Sequence, residues 1–425
     1  MYIPGYYEFC NRVKVVSGHK ALDQLPEMLN SLKSSKPIII TDKGVMGAGL
    51  IDPVKKALGT KLKAGAFFDN VPADSDVTVV NEIAKLYKSS KCDSIIAVGG
   101  GSVLDTAKGV NILVSENSNN LMDFTGAGAL KRPLKPLIAV PTTSGTGSEM
   151  TLVAVIADHA RDVKMLFPSL FLLPDVAILD SRMTKTRPPF LTAPTAMDAM
   201  THAVEAYTCL AKNPLSDVTA ITAIQLISQN LLTAIKNPGD LKARLALANG
   251  SALAGMSFSN SMVGMVHAIG HSIGAISHVA HGTCMSILLP YGLEYNLHKT
   301  GHLTAELLFP VAGEEIYNRT PVTERPFKTI ACIRELNSEL RKATGNKHFT
   351  CLKEVVDKNG KMVVPKEILP EIAKLSLNDG AMVQNPEEMD YNDVMLVLEH
   401  AWEGTPLDLK KIKRGKQTSK IKIRS

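Results

Sequence analysis

The chain has 425 residues, of which 45% are hydrophobic and 21% charged, and its formal net charge at pH 7 is +6. This composition is typical of a folded globular protein and excludes a collagen-like chain, a disordered chain and a small disulfide-rich domain. The length favours two domains, because single hydrophobic cores stop growing at roughly 250–300 residues.

The first half of the sequence alternates strand patterns with helix patterns. Apolar, β-rich runs predict strands at 36–42, 91–101, 135–143 and 175–180. Helical periodicity lies between them at 75–90 and 102–115. Strands that alternate with helices predict a mostly parallel sheet that is covered on both faces.

After residue 185 the periodicity becomes helical. The clearest case is 216–237, where Ser216 is the predicted N-cap and Pro238-Gly239 the stop. A strand-like pattern returns only at 361–364. We therefore predict an α/β domain over 1–185 and an all-helical domain over 186–404.

The carboxyl end carries the basic charge of the chain. Residues 405–425 hold eight basic residues against Asp408, a formal +7, which leaves −1 for residues 1–404. We interpret 405–425 as a solvated basic tail and expect neither a nucleic-acid partner nor a membrane span. The six cysteines are scattered, with no CxxC pair and no signal-peptide pattern at the start, so we expect a reducing, cytoplasmic location.

A glycine-rich turn joins a strand to a helix in SIIAVGGGSVLDTAKG (94–109). Gly99, Gly100 and Gly101 would let the backbone approach a phosphate, and the helix N-terminus offers unpaired N–H groups. The run is neither the GxGxxG fingerprint nor a Walker A loop. A tight strand-to-helix turn without a ligand is an equal alternative.

A hydroxyl-rich loop, PTTSGTGSEMT (141–151), closes another apolar strand. Its hydroxyls and bare amides suit hydrogen bonding to a phosphate, a ribose or an amide, and open α/β sheets bind ligands at this edge. Alternatively, its Ser and Thr residues cap their own turns. Because both loops follow strands of one sheet, together they predict a nucleotide site.

Asp42 closes the strand pattern KPIIITD. An acid at this position can accept hydrogen bonds from a ribose diol and would repel the extra phosphate of NADP, which favours NAD. An Asx turn or a helix cap explains the residue equally well.

The helical half contains a set of potential metal ligands. Asp198 and His202 are four residues apart and share a helical face, with Glu205 near the same face in a supporting position. His267 and His271 repeat the spacing.

His281 lies before Gly282, which we predict to end its element, and His278 breaks the spacing and is given a structural role. One carboxylate with imidazoles suits Fe²⁺ or Zn²⁺, and the lack of thiolates disfavours a structural zinc site of the cysteine type.

In this order the motifs resemble the iron-containing (group III) alcohol dehydrogenase family. The resemblance covers nearly the whole chain and is carried by TDKG (41–44), GGGSVLDTAK (99–108), PTTSGTGSE (141–149), LLPDVAILD (172–180), MDAMTHAVEAY (197–207), HAIGHSIG (267–274), HGT (281–283) and NPEEMDYNDVMLVLEHAW (385–402). It implies the dehydroquinate synthase-like fold of that family, with an N-terminal dinucleotide-binding α/β domain and a helical, metal-binding C-terminal domain.

The resemblance also implies roles for individual residues. The implied metal ligands are Asp198, His202, His267 and His281. The implied cofactor-binding residues are Asp42, Gly99, Gly100, Gly101, Ser102, Val103, Thr142, Thr143, Val155, Lys164 and Met183. His271 lines the site without being a usual ligand and is our candidate catalytic proton relay. The chain departs from the family pattern at Ala73-Asp74, Ala196 and Ala280.

We therefore expect an NAD-dependent alcohol dehydrogenase that uses Fe²⁺, with Zn²⁺ as the alternative, on a small primary alcohol or diol. The family resemblance implies a homodimer or a larger homo-oligomer. Alternatives are glycerol dehydrogenase-like polyol oxidation and a dehydroquinate synthase-like lyase that uses metal and NAD. A metal-binding protein with a nucleic-acid-binding tail is the non-enzymatic alternative.

Overall fold

The computed structural model describes residues 3–59, 64–161 and 163–412, so the basic tail lies outside the described residues from residue 413 on. The chain forms two compact units. The first contains 10–187 together with 238–259, and the second contains the chain up to residue 9, 188–237 and the chain from 260 on.

The first unit is built on a parallel sheet. Its strands are β1 (Lys14–Gly18), β2 (Pro37–Ile40), β3 (Ala66–Phe68), β4 (Ser94–Gly99), β5 (Leu137–Pro141), β6 (Val153–Asp158), β7 (Val163–Pro168) and β8 (Val176–Asp180). In the described part of the chain, six of them pair in the order β1-β8-β5-β4-β2-β3, all parallel. β6 and β7 form a separate antiparallel hairpin.

The α/β fold predicted from the sequence is confirmed. The four predicted strands correspond to β2, β4, β5 and β8, which are buried along their whole length, as strands covered on both faces are. β1 was not predicted because it is a largely exposed strand with no continuous apolar run. β3 was not predicted because it spans only three residues.

Helices cover this sheet and make up most of the second unit. Those of the first half are α1 (Leu25–Ser31), α2 (Lys43–Gly47), α3 (Ile51–Leu58), α4 (Val77–Ser89) and α5 (Gly101–Ser115). Those of the second half are α6 (Pro189–Thr208), α7 (Pro214–Lys236), α8 (Leu241–Ser259), α9 (Met265–Ser277), α10 (His281–Glu306), α11 (Leu308–Ala312), α12 (Glu314–Arg319), α13 (Arg325–Ala343), α14 (Leu369–Ser376) and α15 (Tyr391–Glu403).

Helix α8 lies in the second half of the sequence but packs with the first unit. Its Ala248 and Ala252 are buried in a cluster with Leu179 of β8. Gly255 of α8 lies very close to the hydroxyl-rich loop 141–151. A Cβ at Gly255 would lie 2.5 Å from the carbonyl oxygen of Gly147 in that loop. Small side chains on α8 therefore allow it to pack closely against the first unit. The predicted domain boundary between residues 185 and 186 would instead assign α8 to the second domain.

Two helix starts differ from the sequence expectation. α7 is capped by Asn213 and not by Ser216, because the Asn213 side chain accepts from the Ser216 N–H at 3.1 Å and the Ser216 hydroxyl accepts from the Asn213 N–H at 3.3 Å. Ser216 is thus the third helical residue of a reciprocal cap. Gly282 does not end an element, since α10 begins at His281.

The strand pattern at 361–364 forms no strand in the described residues. It contributes a single antiparallel bridge between Val356 and Met362. The hydrogen bonds around Asp357 fold this segment into a turn, with the Asn359 and Lys361 N–H groups donating to the Asp357 carboxylate at 2.8 and 2.9 Å.

Among the described residues, α7 is the helix that is long and apolar enough to cross a membrane by length and composition. That test is weak, because core helices of globular proteins also pass it. One face of α7 is buried and packs against α6.

Candidate functional site

The second unit brings the four predicted metal ligands together. Asp198 and His202 lie on α6, His267 in the first turn of α9 and His281 at the start of α10. One ligand atom from each of the four residues lies within 4.8 Å of the others. Residues up to 83 positions apart in the sequence thus converge on one point.

Asp198 is central to this cluster. Its Oδ1 lies 3.9 Å from Nδ1 of His202, 4.0 Å from Nε2 of His267 and 3.2 Å from Nε2 of His281. In a tetrahedral site with metal–ligand bonds of about 2.1 Å, ligand atoms would be roughly 3.4 Å apart. The observed separations from Asp198 lie around and above that spacing, and the whole set of ligand atoms lies within 4.8 Å.

Burial and neighbouring side chains together set the protonation of Asp198, His202 and His267. Burial lowers the pKa of the His202 imidazole to about 3, against the opposing charge of Asp198. Burial also lowers the pKa of His267 well below its usual value. The pKa of Asp198 is lowered overall, because the nearby His202 and His281 outweigh the effect of burial. Neutral imidazoles and an ionised carboxylate are the forms that bind a metal ion.

Glu205 contacts the ring nitrogen of His267 that points away from the other ligands. Its Oε2 lies 2.5 Å from Nδ1 of His267, and its Oε1 accepts from the Val266 N–H at 2.8 Å. A ring N–H held by a carboxylate fixes the tautomer in which the other nitrogen faces a metal. Burial raises the pKa of Glu205 to about 7, although backbone N–H groups at Gly264 and Val266 oppose the shift.

The residues fit a divalent cation. Nε2 of His267 is buried and makes no hydrogen bond within the described residues, although its Nδ1 is bonded to Glu205. A buried nitrogen without a partner is costly unless something occupies it. One carboxylate and three imidazoles are ligands that Fe²⁺ and Zn²⁺ accept.

His281 depends on a close backbone contact for its position. The next residue is Gly282, where a Cβ would lie 2.4 Å from the carbonyl oxygen of Pro194. Pro194 lies inside α6. Only a glycine therefore lets the first turn of α10 lie against α6 at this level.

His271 lies beside the cluster and is not one of its four members. Its ring stacks on His281 with centroids 5.3 Å apart and meets His267 edge-on at 5.7 Å. Its Nδ1 lies 2.9 Å from Oδ2 of Asp379. Sequence reasoning missed Asp379, because 108 residues separate it from His271 and no spacing rule connects them. His278 ends α9 in the left-handed conformation, with φ 54°, consistent with a structural role.

In the first unit, the glycine turn packs directly against the hydroxyl-rich loop. A Cβ on Gly100 would lie 3.1 Å from the methyl group of Thr143, and one on Gly101 would lie 2.8 Å from that of Thr146. The Thr142 N–H donates to the carbonyl oxygen of Gly99 at 3.0 Å. The two loops proposed for the nucleotide are therefore neighbours, as the sequence predicted.

A buried lysine, which sequence reasoning missed, links these loops. Lys108 is fully buried on α5 and donates to the Ser148 hydroxyl at 3.0 Å and to the carbonyl oxygens of Thr151 and Val153 at 2.9 and 2.8 Å. The Ser148 hydroxyl donates to Asp105 at 2.7 Å. Burial lowers the pKa of Lys108 to about 8. The sequence feature that could have identified Lys108 is its position on the apolar face of the helix predicted at 102–115.

Other predicted cofactor residues occupy different environments. Asp42 caps α2, because its side chain accepts a hydrogen bond from the Val45 N–H at 2.8 Å. A helix cap was the alternative to a ribose contact for this residue. The Ser102 hydroxyl donates to the carbonyl oxygen of Ala73.

The remaining four predicted cofactor residues divide between surface and core. Val155 is exposed on β6 and Lys164 on β7, where its Nζ lies 3.7 Å from Asp74. Val103 and Met183 are buried, and the Met183 side chain packs in the core below the sheet. Met183 could therefore face a nucleotide only through its backbone.

Comparison with known proteins gives a consistent result. Residues 12–181 match the family model "Iron-containing alcohol dehydrogenase", and residues 192–402 match "Fe-containing alcohol dehydrogenase family, C-terminal". The chain is 32% identical over 390 residues to the NAD-dependent methanol dehydrogenase of Bacillus methanolicus, covering 91% of this chain and 97% of that one.

Two further similarities cover almost the same length. Alcohol dehydrogenase 4 of Saccharomyces cerevisiae is 31% identical, with 91% of this chain and 96% of that one covered. The crystal structure of a 1,3-propanediol oxidoreductase superposes with a TM-score of 0.86 at 31% identity, covering 93% of this chain and all of that one.

Proposed function

The chain belongs to the iron-containing alcohol dehydrogenase family, and we propose that it is an NAD-dependent dehydrogenase that interconverts a small primary alcohol or diol and its aldehyde. The observation that carries this proposal is the convergence of Asp198, His202, His267 and His281 on one point. Proteins of this family use NAD and iron, and the cluster is chemically suited to such an ion.

The first unit supplies the nucleotide site in this proposal. Gly99, Gly100 and Gly101 run from the end of β4 into the first residue of α5 and carry no side chains, so that a pyrophosphate can approach the first N–H groups of the helix. The hydroxyl-rich loop beside the turn offers donors to the rest of the cofactor. Asp42 would accept from the adenosine ribose with the oxygen that does not cap α2.

The second unit supplies the metal ligands. Asp198, His202, His267 and His281 would hold the ion, and Asp198 would contribute the negative charge that retains a divalent cation. A divalent cation bound there supplies Lewis-acid polarisation of the substrate oxygen. Glu205 holds the His267 ring in the required tautomer.

His271 is proposed to move the proton of the alcohol hydroxyl. Its ring lies beside His267 and His281, and 45% of its side chain is exposed, so a proton can pass between the site and solvent. Removing this proton would leave the oxygen electrons available to form the carbonyl, and NAD, when bound, would supply the hydride acceptor.

The substrate class follows from the relatives. Two of the similar proteins are named for methanol and 1,3-propanediol, whereas others are named for long-chain alcohols and choline. We propose a primary alcohol or diol of a few carbons for this chain. A panel of methanol, ethanol, 1-propanol, 1,3-propanediol and glycerol with NAD or NADP tests this by NADH absorbance. We expect NADH from at least one primary alcohol or 1,3-propanediol. Activity on glycerol alone would favour polyol oxidation, and no net NADH from any alcohol would overturn the proposal.

A reducing, cytoplasmic location and a homo-oligomeric state are also proposed. All six cysteines are free, and four of them are buried, which suits a reducing compartment. Light scattering on the purified protein tests the oligomeric state, and a monomer would contradict it.

A further inference from the structure

We propose that Asp379 is a positioning residue that keeps the proton of His271 on Nδ1, so that Nε2 is the nitrogen that exchanges a proton with the substrate. The inference rests on the proposed function, because it assigns the proton of that reaction to a named atom. Nothing in the family resemblance identified Asp379, which caps the short 3₁₀ helix Gly380–Gln384 after α14.

The carboxylate of Asp379 is held on both sides. Its Oδ2 lies 2.9 Å from Nδ1 of His271, and its Oδ1 accepts from the Ala381 N–H at 2.8 Å as the cap of the turn Gly380–Gln384. An ionised carboxylate can only accept hydrogen bonds. The nitrogen that faces it must therefore carry the proton.

The position of the His271 ring requires such a partner. His271 is the most exposed member of the histidine group, with 45% of its side chain accessible against 39% for His281, and an exposed side chain loses rotamer freedom when it is ordered. The ring nevertheless stacks on His281 at an interplanar angle of 19° and meets His267 at 70°. The hydrogen bond to Asp379 is the polar contact that selects this orientation.

The Asp379 carboxylate is also sheltered compared with the histidine that it binds. Its side chain is 22% exposed against 45% for His271. A partly buried charge-assisted hydrogen bond is stronger than an exposed one, so it can fix a tautomer. The same arrangement of acid, Nδ1–H and reactive Nε2 is what makes a histidine a directional base in hydrolytic triads.

Replacing Asp379 by Asn separates the structural role from the positioning role. The Asn carbonyl oxygen can still accept from the Ala381 N–H, since Asn is as good a helix cap as Asp. Its amide then presents N–H groups to His271, so that Nδ1 has to become the acceptor and the proton moves to Nε2. The Asp379→Asn enzyme is thus expected to be folded and capped but to hold the wrong tautomer.

The experiment compares wild type, Asp379→Asn, His271→Ala and the double variant, each loaded with Zn²⁺. ¹⁵N NMR of labelled histidine reports the tautomer, and the His271 signals are assigned by their loss in His271→Ala. We expect protonated Nδ1 in wild type and protonated Nε2 in Asp379→Asn. We also expect kcat to fall about 100-fold or more in Asp379→Asn, and the double variant to be no slower than His271→Ala.

Metal content and NADH affinity distinguish positioning from folding. We expect both to stay within about twofold of wild type in Asp379→Asn, because neither depends on the His271 tautomer. Asp379→Ser, which keeps a helix cap but cannot reach His271, should lose kcat while retaining the metal.

Three results would overturn the proposal: an unchanged tautomer, full kcat in Asp379→Asn, or a double variant much slower than His271→Ala. Loss of metal from both Asp379 variants would do so as well. If wild type oxidises no alcohol, the proposed function fails instead, and the NMR comparison still decides the role of Asp379.

Discussion

Glu205 and His267 meet at 2.5 Å, on the side of the imidazole opposite the nitrogen that faces Asp198. Both side chains are buried, and they come from different helices, α6 and α9. The contact therefore ties the two ligand-bearing helices together and fixes the direction of the His267 lone pair. We therefore expect mutations of Glu205 or His267 to weaken metal binding more than they destabilise the fold.

Replacing Glu205 by Gln should weaken metal binding by about 10–100-fold, because the amide cannot hold the His267 tautomer as a carboxylate does. Competition with a calibrated chelator measures the affinity. Glu399→Gln, at an exposed position on α15, is the matched control and should bind metal like wild type. Equal affinities in the two variants would mean that Glu205 does not orient His267.

Replacing His267 by Ala should remove the bound metal and abolish alcohol oxidation, since it deletes a buried ligand near Asp198. Elemental analysis of anaerobically purified protein gives the metal content. His302→Ala removes an exposed histidine from α10 and should change neither quantity. A metal-free His267→Ala enzyme with full activity would eliminate the proposed centre.

Replacing Gly282 by Ala should displace the first turn of α10 and with it His281. The new methyl group would lie 2.4 Å from the carbonyl oxygen of Pro194, which is backbone and cannot rotate away. Overpacking of this kind costs about 1–3 kcal/mol of unfolding free energy, and we expect weaker metal binding as well.

Gly301→Ala is the control for Gly282→Ala on the same helix. A Cβ at Gly301 meets nothing within 4 Å, so this variant should be as stable as wild type or up to about 1 kcal/mol more stable. Thermal unfolding and metal titration compare the pair, and similar behaviour of the two variants would refute the assigned role of the Gly282 contact.

Replacing Asp42 by Gly should shift cofactor preference from NAD towards NADP, because a carboxylate at the ribose repels the additional phosphate. Asp42 also caps α2, so Asp42→Ser serves as the second variant, which removes the charge and keeps a cap. The ratio of kcat/KM for the two cofactors is the measurement. A wild-type ratio in both variants would place the ribose contact elsewhere.

His348 should make the protein less stable at acid pH. Burial lowers the pKa of His348 from 6.5 to about 4, so the unfolded chain binds the proton more readily than the folded one between these values. The contribution of His348 to the free energy of unfolding is therefore fully present above pH 6.5 and is lost as the pH falls towards 4. At pH 5 the loss is about 2 kcal/mol.

Denaturant unfolding of the metal-free protein at pH 7.5 and pH 5 tests the His348 prediction. His348→Gln has no titrating group but can still bond Ser286 and Asn337, the two partners of the His348 Nε2 atom. Between pH 7.5 and pH 5, the free energy of unfolding of His348→Gln should fall by about 2 kcal/mol less than that of wild type. Identical losses in both proteins would show that His348 is not responsible.

The sequence by itself determined the features that are local. Uninterrupted apolar runs specified β2, β4, β5 and β8, because a strand buried on both faces has to be apolar throughout. The spacing of Asp198 and His202 placed two ligands on one face, because side chains four residues apart in a helix are neighbours.

Tertiary structure decided which distant residues meet. Asp379 reaches His271 and Gly282 packs on Pro194 because separate helices come together, and no periodicity within either segment encodes such a contact. The domain limits and the roles of the individual cofactor residues stay predictions for the same reason. Side-chain spacing along a helix follows from covalent geometry, whereas the contact of two helices depends on how the whole core packs.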